Sequence, residues 1–324
     1  MSEGTIANDS ADKRPELSLV LPIFNEEEVI PELERRLAEF LKELGMRTEV
    51  IFVDDGSKDR SPELLAALVK RYPGYVMLSF SRNFGHQSAI TAGVDHARGE
   101  AVIVMDADLQ DPPEVCLKMV EKWREGFDVV FARRSKRMGE SAFKLLTAKI
   151  FYRVFAAMIP IEVPLDTGDF RLMSRRVVLA LRGLRESHRF VRAMVAWVGF
   201  KQTAVLYERP ERFAGETKYP LRKMIRFAID GITSFSVLPL RFSTYLGMLM
   251  SVFSFCVGIW AIVAKYVLHK VVEGWTATIV FIALVAGVQL LVVGILGEYV
   301  GRIYEEIKRR PLYVLKDRVN VVDD

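Results

Sequence analysis

Hydrophobic and polar positions divide the chain into two regimes. Up to about residue 132, short apolar runs alternate with longer segments of helical character. The runs predict buried strands at 17–22, 49–53, 75–79, 101–105 and 128–132. Asn25 reads as an N-cap with Glu28 three residues on, a capping-box spacing that opens a helix to about residue 44. Ser61-Pro62-Glu63 opens the next helix, 86–97 forms a third, and Asp111-Pro112 reads as N-cap and N1 proline of a fourth over 114–125. Strands alternating with helices imply βαβ units, hence an α/β fold with a mainly parallel sheet.

The last third is different. Residues 242–264 and 274–297 carry no charge, and each run can cross a ~30 Å hydrocarbon core as a helix. Just before them Ile225, Ala228, Ile229, Ile232 and Phe235 share one helical face, while Arg222, Lys223 and Arg226 gather elsewhere, as in an interfacial amphipathic helix. Residues 1–16 are polar, lack a signal-peptide core and are expected to be a disordered tail. The expected division is therefore a tail at 1–16, an α/β domain at 17–220, an interface helix at 221–241, two transmembrane helices at 242–300 and a cytosolic C-terminal segment at 301–324.

Composition narrows the function. A net charge of +4 with no accompanying base-reading motif argues against nucleic acid as a partner. The two cysteines, Cys116 and Cys256, fall in a soluble helix and an apolar run, so no disulfide is expected and a reducing compartment is. The histidines have no zinc spacing.

The chemistry concentrates at strand ends. Strand 101–105 runs into Asp106-Ala107-Asp108-Leu109-Gln110-Asp111-Pro112. Carboxylates at i and i+2 of an extended chain point the same way, at the sheet edge where open α/β folds bind ligands. Such a pair suits Mg²⁺ or Mn²⁺ shared with a diphosphate; the plain alternative is an acidic loop that solvates a strand end. The first strand is followed by Asn25-Glu26-Glu27-Glu28 and not by a glycine-rich turn, so phosphates bound here need a metal to offset the acidic residues. Asp54 or Asp55 can accept hydrogen bonds from a base or ribose. Arg133, Arg134, Lys136 and Arg137, with Lys144 and Lys149 beyond, suit an anionic acceptor or a lipid headgroup surface.

Six segments in order carry a resemblance: Pro22-Ile23-Phe24-Asn25-Glu26, Val53-Asp54-Asp55-Gly56-Ser57-Lys58-Asp59, Ser81-Arg82-Asn83-Phe84-Gly85, the Asp106–Pro112 run, Asp166-Thr167-Gly168-Asp169-Phe170-Arg171 and Glu211-Arg212-Phe213-Ala214-Gly215-Glu216-Thr217-Lys218-Tyr219. Over roughly 17–315 the chain resembles family 2 glycosyltransferases of the GT-A fold, in particular the polyisoprenyl-phosphate group of bactoprenol glucosyltransferases and dolichol-phosphate mannosyltransferases. Thr217 stands where that group more often has Ser.

The resemblance implies a metal held by Asp106, Asp108 and Gln110, and a nucleotide-sugar framed by Pro22, Phe24, Glu26, Asp54, Asp55 and Asp106, with Arg212 and Lys218 closing over its diphosphate. Arg134, Arg137 and Lys144 would hold the acceptor phosphate. Asp108, Asp169 and Arg134 form the expected catalytic set, with Asp169 acting on the sugar or, alternatively, only pairing with Arg171. Expected partners are UDP-glucose and undecaprenyl phosphate, giving a polyprenyl-phosphate sugar by inversion; a mannosyl or aminosugar transferase and a non-catalytic nucleotide-sugar-binding adaptor are the alternatives. Basic clusters flank the spans at 222–226 and 308–310, which places the catalytic domain and both termini in the cytosol of a bacterial-type plasma membrane. Gly287, Gly294, Gly297 and Gly301 permit close helix contacts and a homo-oligomer.

Overall fold

The computed structural model describes residues 14–134, 167–208, 236–267 and 274–321. These divide into two compact units, one of 14–134, 167–208 and 311–321, the other of 236–267 and 274–310.

The first unit is built on strands β1 (Leu17–Ile23), β2 (Thr48–Asp54), β3 (Tyr75–Phe80), β4 (Ala101–Val104), β5 (Val129–Arg134), β6 (Thr167–Ser174), β7 (Gln202–Tyr207) and β8 (Leu315–Val319). Its helices are α1 (Ile30–Leu44), α2 (Ser61–Arg71), α3 (His86–His96), α4 (Val115–Arg124), α5 (Arg175–Gly183) and α6 (Val191–Val198). The sheet order is β7-β5-β6-β4-β1-β2-β3-β8. β1 lies between β2 and β4, parallel to both, with Ile23 opposite Asp54 and Val20 opposite Val104. That register brings the ends of three strands, and the loops that follow them, to one edge.

Helices on both faces explain why every residue of β1 is buried, as in continuous apolar parallel strands. α1 buries Ile30, Leu33, Leu37 and Phe40, a one-face stripe at helical spacing. α3 lies so close to β1 that a Cβ on Gly93 would stand 2.1 Å from Val20 Cγ1. Only glycine permits this approach.

Two predicted helix starts shift. Asn25 does not cap α1, which begins at Ile30 without a side-chain cap. The chain after β1 is stitched to the β2–α2 loop instead: Asn25 N–H donates to Ser57 Oγ, Glu26 N–H to Ser61 Oγ, and Lys58 N–H to Asn25 Oδ1. Asp111 does not cap α4 either. It is buried and accepts the Tyr207 hydroxyl at 2.8 Å, while α4 begins at Val115. In both cases a tertiary partner outcompeted the local cap.

The sheet is also less uniformly parallel than the strand–helix alternation implies. β6 enters between β4 and β5, antiparallel to both. β8, from the stretch after the second apolar helix, adds antiparallel to β3. It is fastened by Asn320 Nδ2, which donates to Val69 O and Tyr75 O, and by Tyr313, which stacks on Phe80 at 5.3 Å.

The second unit holds α7 (Leu238–Tyr266) and α8 (Trp275–Ile307), packed together with Phe253 and Phe281 at 6.2 Å. Both are long and apolar enough to cross a membrane, and the most apolar window of each buries nothing within the protein. Long helices that are apolar all round and exposed among the described residues suit a hydrocarbon surrounding and suggest membrane association. α8 runs past the predicted end of its span, through the Glu298–Arg302 pair at 3.0 Å. Of the predicted interface helix at 221–241, residues up to 235 lie outside the described residues, and 238–241 form the first turn of α7.

Two polar anchors hold the sheet. Buried Glu49 accepts from Ser18 Oγ at 2.5 Å, from Arg98 N–H at 2.6 Å and from Arg98 Nε at 3.3 Å, and Ser18 Oγ in turn accepts Gly99 N–H. Replacing Glu49 with Leu strands these donors, so equilibrium unfolding of the variant is expected to show a loss of about 2–4 kcal/mol. At the start of β5, Asp128 pairs with Arg176 and accepts Ser174 Oγ at 2.9 Å. The Arg176 hydrogen bond, more than the opposing burial, holds its carboxyl below the ordinary value. A depressed folded value stabilises above the unfolded pKa of about 3.9 and is lost as pH falls through the folded one. The melting-temperature gap between wild type and Asp128→Asn is therefore expected to be widest near neutral pH and to shrink below about pH 4.

Candidate active site

The carboxyl edge of β1, β2 and β4 opens into a cleft of about 310 Å³ lined by Pro22, Phe24, Glu26, Asp55, His86, Asp106 and Asp108, among others. One wall is rigid. Asp55 accepts Asn83 Nδ2 at 2.9 Å, Phe84 N–H at 2.7 Å and Gly85 N–H at 3.0 Å. Burial raises the Asp55 carboxyl against the pull of these amides. Gly56 makes this packing possible: its φ is +69°, and a Cβ there would lie 2.5 Å from the Arg82 carbonyl carbon.

The acidic wall follows β4. Asp106 and Asp108 both face the cleft, and Asp108 Oδ1 accepts Gln110 N–H at 3.1 Å. Between them and Asp111, buried Leu109 adopts φ +59°. A bulky residue in the left-handed region is strained, which marks this loop as held in place by its surroundings.

His86, on the first turn of α3, links this wall to a deeper carboxylate. Its Nε2 is 3.5 Å from Asp106 Oδ1 and 3.5 Å from Asp169 Oδ2. Asp169 sits on β6 and is 12% exposed. Its Oδ2 accepts Gln87 Nε2 at 3.1 Å, and its Oδ1 lies 3.8 Å from Arg171 and 3.7 Å from Arg192. Burial pushes the Asp169 carboxyl up, but His86 and the two guanidinium groups outweigh it and hold it well below the carboxylate range. Burial also pulls Arg171 down to about 10. For His86, burial opposes protonation, while Asp169 and Asp106 favour it and prevail, raising its pKa.

The residues singled out in the sequence fall into three groups. Pro22, Phe24, Glu26, Asp55, Asp106 and Asp108 share the cleft. Asp54 lies behind it, buried, with Oδ1 accepting Ser57 N–H; Gln110 is outside the lining; Asp169 reaches it through His86. Arg134 ends β5 opposite Tyr207, but its side chain, like all of Arg137, Lys144, Arg212 and Lys218, lies outside the described residues. Sequence reasoning missed Gln87 and Arg192. Gln87 adjoins a quoted motif, but nothing local to Arg192 signals that its helix turns toward Asp169.

The donor set fits a divalent cation. Among the described residues no three acidic, His or Cys side chains form a metal cage. Mg²⁺ does not need one: it is commonly held by one or two carboxylates plus substrate phosphates and water, and Asp106 and Asp108 supply such a pair.

The profile of "Glycosyl transferase family 2" matches residues 18–181. "Uncharacterized glycosyltransferase YkcC" of Bacillus subtilis is 51% identical over 299 residues, covering 92% of this chain and 93% of its own. "Uncharacterized glycosyltransferase sll0501" of Synechocystis sp. is 47% identical over 302 residues, covering 93% and 95%. The "SfII prophage-derived bactoprenol glucosyl transferase" of Shigella flexneri is 44% identical over 300 residues, covering 93% and 97%. With a profile that runs from β1 into α5, and relatives that match nine-tenths of its length, this chain belongs to glycosyl transferase family 2.

Proposed function

We propose that this protein is a membrane-anchored inverting glycosyltransferase that moves glucose from UDP-glucose to the phosphate of a polyprenyl carrier, undecaprenyl phosphate in the best-supported case. The observation that carries this is a cleft bearing the Asp106/Asp108 pair on a chain that also has two uncovered apolar helices of membrane length. The similarity to a protein named bactoprenol glucosyl transferase supports the choice of sugar and lipid.

In this reading Pro22, Phe24, Glu26 and Asp55 frame the nucleoside, with Asp54 fixing the turn behind them. Asp106 and Asp108, with Gln110 as a further oxygen donor, would hold Mg²⁺ or Mn²⁺, which when bound offsets charge on the diphosphate. A phosphate oxygen of the acceptor attacks the anomeric carbon from the face opposite the UDP. The new C–O bond forms as the bond to UDP breaks, the electron pair leaves with UDP, and the configuration inverts.

The nucleophile needs little help from a base, because a phosphomonoester with a second pKa near ~6 is already largely dianionic at neutral pH. Asp169 is a poor base in any case, since two arginines, His86 and Gln87 surround its carboxylate and favour its charged form. Its role is to orient: it holds His86 and the sugar side of the cleft. Arg134, Arg137 and Lys144 are assigned to the acceptor phosphate, and Arg212 and Lys218 to the departing UDP. The basic residues at 222–226 and 308–310 keep the active site on the cytosolic face, and Gly287, Gly294, Gly297 and Gly301 provide a surface for a homo-oligomer.

Purified full-length protein in vesicles containing undecaprenyl phosphate, given labelled UDP-glucose and Mn²⁺ or Mg²⁺, is expected to form a lipid-linked glucose, and a chelator to abolish it. Failure with every common nucleotide-sugar overturns the proposal. Asp108→Ala is expected to lower turnover by about 100-fold or more, with the melting temperature unchanged. Calorimetry with UDP provides a separate check: binding to wild type should strengthen when Mn²⁺ is present, and the strengthening should disappear in Asp108→Ala.

A further inference from the structure

The bond-making steps just described assign no task to Gln87, yet this side chain is fixed at both ends. Its Nε2 donates to Asp169 Oδ2 at 3.1 Å, and its Oε1 accepts the Val191 amide at 2.9 Å. The amide cannot be turned round: a carboxylate only accepts and a backbone N–H only donates, so the NH₂ must face Asp169. One side chain thus ties α3 to β6 and to the start of α6. Arg192, the residue after Val191, approaches the other carboxylate oxygen at 3.7 Å. That oxygen, Oδ1, is buried and accepts no hydrogen bond among the described residues. Direction is therefore set at Oδ2, where Gln87 Nε2 at 3.1 Å is the nearer donor, ahead of His86 Nε2 at 3.5 Å.

We propose that Gln87 is a positioning residue for glycosyl transfer: by donating to Asp169 Oδ2 from an anchor on the Val191 backbone, it fixes the carboxylate that holds His86 in the cleft. This role rests on the transferase reading given above. Two ion-pair contacts near 3.8 Å attract Asp169 without fixing its torsion, whereas a directed hydrogen bond does fix it. His86 stands 3.5 Å from both Asp169 and Asp106, so a turn of the Asp169 carboxylate is passed directly to the wall that carries the acidic pair.

The near-isosteric Gln87→Glu variant separates this role from simple packing. The substituted side chain keeps the acceptor for Val191 but replaces the donor with a second negative charge. The charged groups around it are Asp169 and Arg171 on β6, Arg192 on α6, His86 on the same helix, and Asp106 beyond His86. At about pH 8 both carboxyls are ionised and repel. Near about pH 5.5 the pair can share one proton, which restores a donor at position 87.

In the vesicle assay, Gln87→Glu is expected to lose roughly 10- to 100-fold in kcat at about pH 8, with KM for UDP-glucose within about threefold of wild type. The ratio of variant to wild-type kcat should climb as pH falls to about 5.5. In Gln87→Ala, which has no donor at any pH, the ratio should stay low and flat. Wild-type-like kcat for Gln87→Glu at pH 8, or a ratio that does not rise in acid, overturns the role while leaving the transferase reading intact. Activity that falls only in step with melting temperature in both variants overturns it as well, because packing alone would explain the loss. Absence of transfer by the wild type overturns the transferase reading and this role with it.

Discussion

The dominant constraint in this fold is electrostatic. A parallel register around β1 forces Glu26, Asp54, Asp55, Asp106 and Asp108 to the same edge, and β6 brings Asp169 beneath them. Six carboxylates in one region repel, and the repulsion grows as water is excluded. The surrounding structure answers it residue by residue. Asp54 takes the Ser57 amide, Asp55 takes two amides and the Asn83 side chain, and Asp169 takes Gln87, His86 and two guanidinium groups. Asp106 and Asp108 face the cleft, Asp106 with His86 Nε2 at 3.5 Å and Asp108 with the Gln110 amide at 3.1 Å.

α3 carries much of this compensation. Its N-terminal turn supplies His86 and Gln87, and the loop before it supplies the amides for Asp55. Its other end is clamped: Arg182 donates to Val94 O and Ala97 O, Arg175 donates to Ala97 O, and Asp95 accepts Tyr313 and Arg185. Arginines on a helix C-terminus satisfy its last carbonyls and its dipole together. Gly93 then presses the helix against Val20 of β1. A helix fixed at both ends and along one side cannot drift, so the positions of His86 and Gln87 are properties of the whole sheet and not of their own loop.

Much of this was legible in the sequence. Apolar runs located the parallel strands because strands buried on both faces cannot alternate with polar residues, and the two uncharged runs located α7 and α8. Asp106 and Asp108 could be placed because side chains two apart on an extended chain share a direction. The helix starts at Asn25 and Asp111 were misread for one reason: a side chain with capping chemistry can serve a distant backbone or hydroxyl equally well, and Lys58 and Tyr207 are 33 and 96 residues away. The antiparallel entry of β6 was not legible, because apolar content does not encode strand direction. β8 was overlooked because only Leu315 and Val319 of its five residues are even partly buried, and its Lys-Asp-Arg centre reads as solvent-exposed tail. The contact of Arg192 with Asp169 depends on how α6 is laid against β6, which no local pattern records.

The two units place opposite demands on solvent. The cleft is lined by carboxylates and a histidine and suits a charged, water-soluble ligand; α7 and α8 expose Phe242, Leu249, Phe255, Ile262, Leu290 and Val293, which water would not tolerate as one surface. In chain order α7 and α8 lie between β7 and β8, and the residues after α8 go on to form β8 in the same sheet as the cleft. The apolar pair is thus an insertion between β7 and β8 of one α/β unit, and β3 gains its β8 partner only from the chain beyond α8.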